Sequence, residues 1–98
     1  MYSFLRSDVF ATWLDDLADE KAKARIAVRI ISAEMGNFGD CAPVGHGIFE
    51  MRIHVGPGYR VYYTRRGKVV YLLLCGGDKS SQKRDVKRAK AMLAALKE

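Results

Sequence analysis

Residues 48–75 read IFEMRIHVGPGYRVYYTRRGKVVYLLLC, and this stretch decides the fold. In its first part Phe49, Met51, Ile53 and Val55 alternate with Glu50, Arg52 and His54, the two-residue period of a strand with one buried face. Gly56-Pro57-Gly58 turns the chain, and Tyr59, Val61 and Tyr63 then alternate with Arg60, Tyr62 and Thr64. Arg66-Gly67 reads as a tight hairpin turn. Val69 to Cys75 is apolar throughout, as expected of a central strand covered on both faces. The three strands form an antiparallel meander.

On either side of the meander the period becomes helical. Upstream, Ser7 or Asp8 can cap a helix carrying Val9, Phe10, Trp13, Leu14 and Leu17 on one face, and a short strand around Tyr2 and Phe4 can precede it. Asp19 suits a second N-cap, with Ile26, Ala27, Ile30, Ile31 and Met35 as the buried stripe until Gly36-Asn37 stops the helix. Lys21, Arg25 and Arg29 lie four apart beside that stripe, which suits a solvated face or a phosphate track. Phe38 to Gly47, with Pro43 and several glycines, is expected to be a loop. After Gly76-Gly77-Asp78, Ser80 or Ser81 starts a last helix that buries Val86, Ala89, Leu93 and Leu96 and exposes Lys83, Arg84, Lys87, Arg88 and Lys90. The expected fold is α+β: an N-terminal helical hairpin packed on a small antiparallel sheet, with a C-terminal helix, in a single domain spanning residues 1–98.

A chain of 98 residues supports one modest core. Its net charge of +6 is unevenly placed: residues 1–40 hold 5 basic and 7 acidic side chains, residues 41–98 hold 12 and 4. A positive field on the C-terminal part favours encounter with phosphate polymers, in a salt-dependent way. No run approaches the ~18 apolar residues of a membrane span, and no basic-then-apolar leader opens the chain, so a cytoplasmic location without membrane contact is expected. Cys41 and Cys75 lack metal-ligand spacing and form no disulfide framework; neither a metal nor another cofactor is expected.

If Gly56-Pro57-Gly58 is a three-residue loop, His54 pairs with Arg60 and Arg52 with Tyr62. A two-residue turn at Arg66-Gly67 then places Phe49, Met51, Ile53, Val55, Tyr59, Val61, Tyr63, Val70, Leu72 and Leu74 on the core face. The opposite face carries Glu50, Arg52, His54, Arg60, Tyr62 and Tyr71, with Lys79 near the Gly56–Gly58 turn. Such a face suits RNA cleavage without a metal, in which the 2′-hydroxyl attacks the adjacent phosphate. Arg60 and Arg52 would stabilise the phosphorane, since guanidinium grips phosphate in a bidentate way. His54 or Lys79 would transfer protons. Tyr62 would stack on a base, and Lys83, Arg84 and Lys87 would meet the RNA backbone. The plain rivals are a Glu50–Arg52 surface ion pair and a His54–Arg60 cross-strand pair.

Phe49-Glu50-Met51-Arg52-Ile53, followed by Gly58-Tyr59-Arg60-Val61-Tyr62-Tyr63 and by Leu72 to Gln82 with its Gly-Gly-Asp-Lys-Ser-Ser-Gln, resembles the RelE/ParE superfamily of bacterial toxins. Within it the chain is similar to the HigB-related, phage Gp49-like branch of addiction module killer proteins. The resemblance implies an endoribonuclease, an mRNA interferase acting on the ribosome, held silent by a cognate antitoxin, usually a helix-turn-helix DNA-binding protein. It matches Arg60 to the arginine that neutralises the scissile phosphate, and Arg52 and Lys79 to neighbouring basic positions. Glu50 stands where RelE has a lysine, and the last helix lacks RelE's tyrosine. ParE-like inhibition of gyrase and a non-catalytic antitoxin- or nucleic-acid-binding domain are the alternatives on the same scaffold.

Overall fold

The structure, a computed structural model, describes residues 1–96. Strand β1 (Ser3–Arg6) leads into helices α1 (Asp8–Asp15) and α2 (Glu20–Glu34). Four more strands follow, β2 (Cys41–Gly45), β3 (Ile48–Ile53), β4 (Tyr59–Arg65) and β5 (Val70–Asp78), before one 3-10 turn (Lys79–Ser81) and helix α3 (Gln82–Leu96). The sheet order is β1-β5-β4-β3-β2. β1 runs parallel to β5 and the other neighbours are antiparallel.

The expected caps of α1 and α2 form, whereas the last helical segment is capped by Asp78, which accepts from the Ser80 amide, and not by Ser80 or Ser81. Ser7 accepts from the Phe10 amide at 3.0 Å and donates to the Leu74 carbonyl at 2.7 Å, so one hydroxyl both starts α1 and ties it to β5. Asp19 accepts from the Ala22 amide at 3.1 Å. Gly36, at φ +97°, ends α2. On one side of the sheet Phe10, Leu14, Ile26 and Ile30 pack on Met51, Ile53, Val61, Tyr63 and Leu73. On the other, Ala89 and Leu93 of α3 pack on Ile48, Tyr62, Leu74 and Cys75. β5 is therefore covered on both faces, as its unbroken apolar run requires.

The sheet is larger than a three-stranded meander. The segment expected to be a loop contains β2, whose Pro43 is tolerated because an edge strand needs no donor on its open side. Register differs too. The β3–β4 connection takes five residues, 54–58, with Gly56 and Gly58 at positive φ, so Arg52 lies opposite Arg60 and Glu50 opposite Tyr62. Between β4 and β5 Tyr63 pairs with Leu73 and Tyr62 with Cys75, leaving Leu74 as the extra residue of a bulge. Tyr71 and Leu73 consequently face the helical hairpin, while Leu72 and Leu74 face α3, the reverse of the expected sorting.

Helix faces differ from expectation at their ends. Ile31 and Met35 are exposed, because α2 meets the sheet through Ala22, Ile26, Ile30 and Ala33. Leu96 is also exposed, one turn beyond the sheet contact of Leu93. Arg29 is neither a solvated nor a phosphate-track residue. Its guanidinium donates to the carbonyls of Arg52, Phe38 and Asp40, pinning the α2–β2 connection to the end of β3.

Candidate functional site

At the junction of β3, β4 and the start of α3 sits a carboxylate almost without solvent contact. Glu50 is 1% exposed. Its Oε1 accepts from Arg60 at 2.9 Å, Gln82 at 2.6 Å and the Tyr62 hydroxyl at 3.4 Å, and its Oε2 accepts from Arg52 Nε at 3.1 Å. Strand pairing explains the cluster: Arg52 and Arg60 are directly opposite, and Glu50 is two residues from Arg52 on the same face. Burial pushes the Glu50 carboxyl upward, but hydrogen bonds from Arg60, Gln82 and Arg52 outweigh it and hold the group below its ordinary value. Glu50 is thus ionised and fully occupied at neutral pH.

The cluster extends outward as a chain of alternating charge. Arg52 Nη1 also reaches Asp40 at 3.2 Å, and Asp40 meets His54 Nε2 at 2.7 Å. The His54 hydrogen bond is the main cause holding the Asp40 carboxyl below the usual range; burial opposes it and Arg52 adds to it. Asp40 is set in place by Arg29, which binds the backbone carbonyl of the same residue. One carboxylate therefore orients the imidazole while the other orients both guanidiniums.

The structure brings Arg52 and Arg60 together and links His54 to them through Asp40. Arg60 keeps a 16% exposed side chain and Arg52 one of 35%, so both side chains retain solvent contact. Lys79 is exposed, and its amide donates to the Gly58 carbonyl at 2.8 Å, which fixes it beside the turn that precedes Arg60. Lys83, Arg84 and Lys87 are all exposed on α3 near Gln82, Arg84 with its Nε 3.7 Å from Asp85.

Two sequence assignments change. Tyr62 is completely buried under α3, and burial raises its hydroxyl pKa, so its ring has no free face for a base. Tyr71 packs on the other side of the sheet, stacked against Phe4 at 4.9 Å between ring centroids. Asp40 and Gln82 are the members that sequence reasoning missed, and Glu50 was placed on this face only as a surface partner of Arg52. The Glu50–Arg52 pair was readable from spacing, but its burial depends on α3 lying over a face expected to be open.

Among the described residues no group of three His, Cys, Asp or Glu is arranged to hold a metal ion, and no helix is long and apolar enough to cross a membrane. The family model described as "Phage derived protein Gp49-like (DUF891)" matches residues 12–97. The chain belongs to this family. Gp49-like proteins are RelE-like toxin–antitoxin killer proteins, and the five-stranded α+β architecture is consistent with a RelE-like fold. A Haemophilus influenzae protein, named only as uncharacterized, is similar to this Gp49-like chain: 49% identical over 87 residues, covering 89% of the chain and 88% of the relative. Family membership implies an antitoxin partner.

Proposed function

We propose that this Gp49-like protein is a type II toxin that cleaves mRNA on the ribosome, and that Arg60 and Arg52 hold the scissile phosphate. The observation that carries the reading is the pairing of two guanidiniums on neighbouring strands around one buried carboxylate. Glu50 and Asp40 together balance the two cations, so the cluster presents oriented guanidiniums at a rigid, partly exposed edge, and the excess positive charge beside it comes from Lys79 and Lys83. A backbone phosphate is the anion whose geometry suits paired guanidiniums.

In the proposed reaction the 2′-oxygen attacks phosphorus, loses its proton, and forms a 2′,3′-cyclic phosphate as the 5′-oxygen leaves and gains a proton. Arg60 and Arg52 stabilise the charge gathering on the non-bridging oxygens. His54, oriented by Asp40, transfers a proton, as an imidazole held by a carboxylate can do. Lys79, Lys83 and Lys87 attract the flanking phosphates. Cytoplasmic action follows from that substrate, and the neutralising partner is a helix-turn-helix antitoxin.

Expression of the chain alone should arrest growth and cut mRNA within translated codons. Arg60→Lys keeps a cation against Glu50 but loses the planar fork, so it should remain folded by circular dichroism and lose cleavage. Arg60→Ala should behave alike, with Arg52 and Gln82 still holding Glu50. Intact mRNA at high expression, or full toxicity in both variants, would overturn the assignment. DNA damage without mRNA cuts would point to gyrase instead.

A further inference from the structure

We propose that the groove between α3 and the β2–β3 hairpin receives an acidic, amphipathic segment of the neutralising partner. The inference rests on the reading of the chain as a toxin held by an antitoxin, and it names the surface used. Two adjoining depressions make the groove. One, of about 570 Å³, is lined by Gln82, Lys83, Val86, Lys87 and Lys90. The second, of about 430 Å³, is lined by His46, Gly47, Lys90, Leu93 and Ala94. Lys90 lines both, so they adjoin at that side chain. From residue 82 to residue 94 a helix advances about 18 Å, the length of three turns of a partner helix.

The chemistry of the channel selects its occupant. Val86, Leu93 and Ala94 give an aliphatic floor, Lys83, Lys87 and Lys90 a cationic rim, and no acidic side chain among the described residues lines it. Among the described residues its one aromatic ring is the His46 imidazole at the lower end, so an RNA base would find nothing to stack on along the stretch from Gln82 to Lys90. A helix face with aliphatic side chains three and four apart, flanked by carboxylates, complements both floor and rim. The upper end of the channel is Gln82, which donates to Glu50. An occupant there abuts the Arg52–Arg60 pair and takes Lys83 and Lys87 away from RNA. Neutralisation then works by covering the site.

The test is a titration of the full chain, isotope-labelled for amide NMR, with three probes. The first is a synthetic peptide of about 16 residues, with Leu at helical spacing and flanking Glu. The second is the same peptide with Lys for Glu, and the third is hexauridylate. The acidic peptide should shift the amides of 83–94 and of His46 and Gly47, and the basic one should not. Lys90→Glu with Ala94→Asp should weaken the acidic peptide about tenfold or more. The same double variant should keep whatever mRNA cleavage the unmodified chain shows. The proposal is overturned if the acidic peptide leaves these amides unmoved, if hexauridylate occupies the channel through His46 and Ala94 more tightly, or if the double variant loses cleavage. Absence of cleavage by the unmodified chain would sink the proposed reaction and leave the peptide titration unaffected.

Discussion

Replacing Glu50 by alanine probes the charge cluster most directly, because it removes the one group that its neighbours share. Four donors lose their acceptor: Arg60, Arg52, Gln82 and the Tyr62 hydroxyl. The Tyr62 contact, at 3.4 Å, is the weakest. The bond to Arg52 adds little, since 35% of that side chain faces solvent. Breaking a buried ion pair from one side costs ~3–5 kcal/mol, and the 16% exposure of Arg60 lets water recover part of it. A loss of about 3 kcal/mol is therefore expected. For a domain of this size that lowers Tm by roughly 12–24 °C. Urea and thermal unfolding of Glu50→Ala, Arg60→Met and the double variant give a coupling energy, expected near 2 kcal/mol, about the worth of a buried charged hydrogen bond. Glu50→Leu with Arg60→Met should recover most of the stability, as apolar replacement of a buried pair commonly does. A loss below about 1 kcal/mol with coupling inside ~0.5 kcal/mol would show that Glu50 does not organise the guanidiniums.

Acid should unfold the protein through the same groups. The Glu50 and Asp40 carboxyls lie below their ordinary values of 4.5 and 3.8, so their contribution is complete above those values and is lost as pH falls through the depressed folded ones. Urea midpoints measured from pH 6 down to pH 2.5 should fall, less steeply in Glu50→Gln; parallel profiles would count against the linkage. Gly77→Ala should destabilise by about 1–3 kcal/mol, since a methyl group there overlaps the Asp85 carboxylate; calorimetry showing an unchanged Tm would contradict that packing. Tyr62→Phe should cost at most about 1 kcal/mol and leave mRNA cleavage intact, because the ring is core and only a long hydrogen bond is removed.

Much of the architecture was legible because period and punctuation agree. Ser7, Asp19 and Gly36 mark helix ends by local chemistry, and the alternation from Phe49 to Tyr63 marks two strands whatever their partners. Register was not legible, because it depends on how many residues the turns consume. Five residues rather than three between β3 and β4 kept the parity but moved Arg52 opposite Arg60. The extra residue at Leu74 and the longer β4–β5 connection inverted the faces of β5, and with them the fate of Tyr71. Edge strand β2 was hidden by Pro43 and the glycines around it, residues that ordinarily announce a loop. For the site, the guanidiniums were readable from their place on the strands, whereas Glu50 became central only once α3 was seen to cover it with Gln82.

The parallel pairing of β1 with β5 bears on how the molecule is made. Ser3 pairs with Val70 and Arg6 with Leu73, partners separated by about two-thirds of the polypeptide. Contacts so distant form late, because a long stretch of chain must be ordered before any of them is made. A ribosome adds about 5–20 residues per second from the amino end, so the opening strand and both helices wait for their sheet partner to be synthesised. Gln82, which completes the hold on Glu50, emerges later still. A nascent chain carries scattered arginines but no assembled pair, and a premature stop before residue 82 leaves a fragment in which the cluster cannot close.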